Sequence, residues 1–84
     1  MSESAVLFGA TSLPLDVVSN AAFASRIAGF HVRVERVHGS AWTARAVSQG
    51  FGIAAHEPKD SPQLAADALL AIVRGVGRLA EAVT

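Results

Sequence analysis

The chain has 84 residues, seven basic and seven acidic, and no cysteine. That length allows one domain, the balanced charge argues against a nucleic-acid role, which ordinarily shows as a basic stripe, and the missing cysteines exclude disulfides, thiol catalysis and thiolate metal sites. Half of the residues are hydrophobic (51%) and only 17% are charged, with a mean hydropathy of +0.40, so either the core is built from many small side chains or a partner covers apolar surface.

In chain order, Ala5–Phe8 is a short apolar run ending at Gly9, which reads as a buried strand. Pro14 suits the first turn of a helix, with Ser12 as its cap and Asp16 near the positive end of its dipole. That helix is expected to run to Ala28 and stop at Gly29. Its core face would be Val17, Ala21, Ala24 and Ala28, which leaves Phe23 on a polar side as a candidate interface residue.

Phe30–Val37 alternates with period two and organises the rest. Phe30, Val32 and Val34 fall on one face, His31, Arg33 and Glu35 on the other, as in a half-buried strand. The next stretch has two readings. Ser40 can cap a helix that ends at Gly50, with three alanines in its body; or His38-Gly39-Ser40 is a turn into a second strand, Ala41–Val47, with Trp42, Ala44 and Ala46 inward. The helix satisfies more signals. Phe51–His56 reads as a strand, and Ser61 with Pro62 opens a final helix to about Ala82. Its periodic row is Ala65, Leu69, Ile72, Val76, Leu79 and Val83. A second row, Leu64, Ala68, Ala71 and Gly75, consists mostly of small residues and offers a seam for another helix, so Ala71 and Gly75 join Phe23 as candidate contacts of a homodimer.

These elements predict an α/β or α+β single-domain two-layer sandwich over residues 1–84, with three to four strands and two to three helices on one face. In the strictly alternating version the strands are parallel and their carboxyl ends gather Ser12, His38, Gly39, Ser40, His56 and Lys59. Two imidazoles, hydroxyls and a lysine at such an edge can bind an anion or a phosphorylated ligand. No catalytic residues are assigned, no cofactor is implied, and His31, His38 and His56 lack metal-ligand spacing. No run of about 18 apolar residues suggests a membrane span, and MSESAVLFGA lacks the positive region of a secretory signal, so a soluble cytoplasmic domain is expected.

The stretch GFHVRVERVHGSAWTARAV, Gly29 to Val47, resembles the second and third strands of HPr phosphocarrier proteins, where a glycine turn precedes an Ala-Lys/Arg-Ser-like step, here Ala44-Arg45-Ala46. AAHEPKDSPQLAADALLAIVRGVG, Ala54 to Gly77, resembles the family's last strand, polar loop and final helix. The resemblance implies a carrier scaffold without its chemistry. Asp16 stands where the phosphorylated histidine belongs, Ala46 where the regulatory serine belongs, and the family's short second helix has no counterpart after Ala46. The function expected from all of this is a non-catalytic interaction or regulatory module, part of a larger assembly or a homodimer. The alternative is a small phosphoryl carrier or anion-binding domain using the His38/His56 edge.

Overall fold

The computed structural model of the protein describes residues 5–16, 22–75 and 77–83. In order they form β1 (Ala5–Phe8), β2 (Thr11–Pro14), β3 (Ala22–Ile27), β4 (Phe30–His38), β5 (Ala41–Ser48), β6 (Phe51–Lys59), α1 (Pro62–Val73) and α2 (Gly77–Val83). The predicted α/β or α+β two-layer sandwich is therefore corrected. There are six strands in two antiparallel sheets, a β1–β2 ribbon and a β3–β4–β5–β6 meander, followed by two helices, one of them short.

The connections explain the correction. Gly9-Ala10, Ala28-Gly29, Gly39-Ser40 and Gln49-Gly50 are two-residue turns, which can join only antiparallel neighbours; a parallel pair needs a crossover of a dozen or more residues. Ala28 and Gly29 both have positive φ, 52° and 81°, as a type I′ hairpin requires. Gly29 thus turns a hairpin where it was expected to end a helix. The helix predicted from Pro14 to Ala28 is replaced by the end of β2 and by β3; Val17 and Ala21, two members of its core face, lie outside the described residues. Likewise the helix expected from Ser40 to Gln49 is replaced by strand β5, Ala41–Ser48, the second of the two readings. Its neighbours β4 and β6 pair with it on both sides, and this outweighs an alanine preference for helix worth only tenths of a kcal/mol per residue.

The inner face of the meander carries Phe23, Ile27, Phe30, Val32, Val34, Ala44, Ala46 and Ala55. α1 covers it with Ala65, Ala66, Leu69 and Val73, while the ribbon adds Val6, Phe8 and Leu13, and α2 adds Leu79 and Val83. Phe23 is 4% exposed and packs on half-buried Trp42 with ring centroids 5.9 Å apart; its expected place on a polar helix face is corrected to the core. α1 begins as predicted, with Pro62 in its first turn and the Ser61 hydroxyl accepting from the Leu64 N–H at 3.2 Å. It does not run on to Ala82. It stops at Val73, with Arg74 and Gly75 in a turn before α2, so Ile72 is left on the surface and Val73 takes its place in the core.

Candidate functional site

The residues expected at a common strand edge are only partly gathered. His38 ends β4 and Gly39-Ser40 forms the following turn. Lys59 pairs in register with Trp42 beside it, so these four lie at one end of the meander. Ser12 belongs to the separate ribbon, opposite Leu7. His56 lies farther along β6, exposed, in a shallow cleft of about 320 Å³ shared with Glu35, Thr43 and Arg45. The Lys59 ammonium is 3.4 Å from Glu57. The parallel arrangement that would have aligned all six residues is absent, because the chain turns back at every strand.

Among the described residues no polar or charged side chain is buried, and no three His, Asp or Glu side chains group as metal ligands. The charges on the outer face of the meander hold one another. The Arg33 guanidinium donates to Asp16 at 2.9 Å and to Glu35 at 3.0 Å, and Arg45 lies 3.5 Å from Glu35. Hydrogen bonding to Glu35, then to Asp16, raises the Arg33 pKa above its ordinary value. Arg33 and Arg45 face each other across β4 and β5, so Glu35 separates two like charges and the group acts as a strap across strands.

The distinctive feature lies in the backbone at the sheet edges. Each edge strand offers a row of N–H and C=O groups that needs a partner or a guard. The edge of β1 is closed by one side chain of α1. Gln63 Oε1 accepts from the Leu7 N–H at 3.0 Å, and Gln63 Nε2 donates to the Leu7 carbonyl at 2.8 Å. The first residues of β3 are met by the chain leaving β2, through a Leu15–Phe23 bridge and an Asp16 N–H to Ala22 carbonyl bond of 2.9 Å. β6 is different. Ser48 pairs with Phe51 across a two-residue turn, which makes theirs a hydrogen-bonded pair. By alternation Ile53 and Ala55 also bond toward β5, while the N–H and C=O of Gly52 and Ala54 point away from the sheet. No strand among the described residues pairs with them. The regular ladder ends at Ala55, where the register shifts, and Pro58 farther on has no N–H to offer.

The flank of α1 matches this edge. At about 100° per residue, Gln63 and Asp67 lie on the flank toward β1, and Leu64, Ala68 and Ile72 on the opposite one. Leu64 is 50% and Ile72 46% exposed, and Ala71 and Gly75, two of the expected contacts, are exposed as well. Gly75 lies past the end of α1, so the small-residue row predicted to include it is one turn shorter. Gly52 and Pro58 were the sequence signals available for this edge: both weaken a central strand and suit an outer one. No helix among the described residues is long and apolar enough to cross a membrane. Comparison of the chain with family models, with curated proteins and with solved structures finds no match.

Proposed function

We propose that this chain is a non-catalytic protein-interaction module that receives an extended segment along the free edge of β6. The observation carrying the reading is the contrast among its edges: Leu7 of β1 is capped by Gln63, the start of β3 is met by the chain leaving β2, and β6 presents the paired donor and acceptor of Gly52 and Ala54 outward. Strand addition uses such main-chain groups for affinity, and side-chain pockets for selectivity. Phe51, 48% exposed beside the edge, supplies an apolar contact for the incoming segment. The unburied, mutually paired charges of the outer face support binding in preference to catalysis. If the HPr resemblance reflects descent, the phosphoryl chemistry has been lost, since Asp16 is a carboxylate held by Arg33 and lacks an imidazole nucleophile.

Selection of extended peptides from a displayed library, followed by amide chemical-shift mapping, tests the reading. The expected binders shift Gly52, Ala54 and His56 and are lost in Ala54→Pro, which removes an outward N–H while leaving the β5 ladder whole. Saturable shifts at His38, Gly39, Ser40, His56 and Lys59 with inorganic phosphate, and no binder at β6, would overturn it in favour of an anion carrier.

A further inference from the structure

Resting on that reading, we infer that the segment received by β6 is β6 of a second copy of this chain, antiparallel about a two-fold axis at Ile53. The regular ladder of β6 is Phe51–Ala55, and Ile53 is its midpoint. About that axis Gly52 of each copy faces Ala54 of the other, so the outward N–H and C=O groups of both residues are exchanged, twice over by symmetry. On the inner face Ile53 meets its own copy, and Phe51 meets Ala55, large against small. On the outer face glycine meets alanine, which leaves nothing to obstruct the approach.

Charge favours the same occupant. Phe51–Ala55 carries no ionisable side chain and the chain as a whole is neutral, so two copies meet without repulsion. A strongly acidic or basic partner would find no complement along the seam.

The helices give the arrangement its area. A stable interface buries about 800 Å² per partner, roughly a sixth of the 5102 Å² surface of this chain. A five-residue edge alone falls well short of that. A two-fold axis normal to the sheet keeps both α1 helices on the same face. α1 lies mainly over β6 and β5, so with strands about 4.8 Å apart the two helix axes come to about 10 Å, near the ordinary packing distance. The β1–β2 ribbon, joined to β3 at the Leu15–Phe23 bridge, covers the other flank of α1. The flank turned to the second copy is therefore the apolar one, with exposed Leu64 and Ile72 on either side of half-buried Ala68. The open edge and the bare helix flank are two parts of one self-complementary surface.

The absence of native cysteine makes the geometry directly testable. Facing Ile53 residues form a non-hydrogen-bonded pair with Cα atoms about 4.5 Å apart, within the disulfide range of about 4.4–6.8 Å. The two Ala54 residues are offset by two positions and stand about 8 Å apart, beyond it. Under mild oxidation Ile53→Cys is expected to become mostly cross-linked dimer, and Ala54→Cys to remain mostly uncross-linked. Because Ile53 is half-buried, a second measurement guards against a folding defect. Light scattering of the unaltered chain at 100 µM should give twice the 8.7 kDa chain mass. Ala54→Pro and Ile72→Glu, both changes outside the core, should keep the circular dichroism spectrum and weaken dimerisation by tenfold or more. A monomer at 100 µM, a dimer untouched by these two variants, or cross-linking at Ala54 in place of Ile53 would each overturn the inference. A monomer that still binds selected peptides at Gly52 and Ala54 would leave the interaction reading standing; a monomer that binds none would bring both down.

Discussion

The edges of β1 and β6 both lie beside α1, and they are treated in opposite ways. At β1 the helix offers Gln63, whose amide copies a peptide group, accepting from the Leu7 N–H and donating to its carbonyl, and which is steadied by a further 2.9 Å bond to Asp67. At β6 the same helix offers Leu64, Ala68 and Ile72, which cannot bond to backbone at all. One helix thus closes an edge with its polar flank and leaves the other edge open with its apolar flank. The comparison teaches that an edge strand needs no neighbouring strand to be protected: one correctly placed amide satisfies two backbone groups. Where such an amide is missing, Gly52 and Ala54 meet no strand among the described residues, and the helix flank offers exposed Leu64 and Ile72.

The largest way to break this comparison is to remove the element common to both edges. Leu69 is fully buried beneath α1, and Leu69→Ala should cost about 3–4 kcal/mol, read by urea denaturation, with faster amide exchange at β1 and β6 together. If only one edge responded, α1 would not be their shared support.

A smaller loss tests the β1 side alone. Gly9 turns β1 into β2 at φ 63°, and an added Cβ would collide with the Val83 carbonyl of α2. Gly9→Ala should therefore cost about 2–3 kcal/mol from left-handed strain plus the collision. Gly50→Ala carries the same kind of φ, 76°, in open space, and should cost about 1 kcal/mol. Equal losses would show that the β1–β2 turn does not depend on α2.

Gln63→Ala sharpens the contrast directly. Losing the two bonds to Leu7 should cost about 1 kcal/mol and speed Leu7 amide exchange at least tenfold. The Ala54 amide should already exchange quickly in any monomeric fraction. A Leu7 amide unaffected by Gln63→Ala would deny the amide its role as an edge cap.

The smallest effect expected concerns pH. The Arg33 pKa is raised on folding by Glu35 and Asp16. A base whose folded pKa is raised contributes its stabilisation in full below the unfolded value, and loses it only as pH climbs through the folded one. Both lie above the range in which proteins are ordinarily handled, so Arg33 should add no slope to stability between about pH 6 and 9. Comparing thermal midpoints of the unaltered chain and Arg33→Met across that range checks this; a difference that changes with pH would place the strap's titration elsewhere.

Parts of this molecule were written locally. The alternation of Phe30, Val32 and Val34 against His31, Arg33 and Glu35 set both β4 and its buried face, because period two has only one structural reading when every second residue is large and apolar. Ser61 and Pro62 set the start of α1, since a cap and a residue lacking its N–H suit few other places. Tertiary structure alone decided Ala22–Ile27 and Ala41–Ser48. Alanine-rich stretches ending in glycine favour helix only weakly, and Gly29 and Gly50 serve a hairpin turn as readily as a helix end. The pairing of those segments with β4 and β6 then settled the matter. The same holds for the site. Gly52 and Pro58 hinted at an outer strand, but nothing near Leu7 announces Gln63, which stands 56 positions away. Which edge is closed and which is open depends on where α1 lands, and that is a property of the packed core.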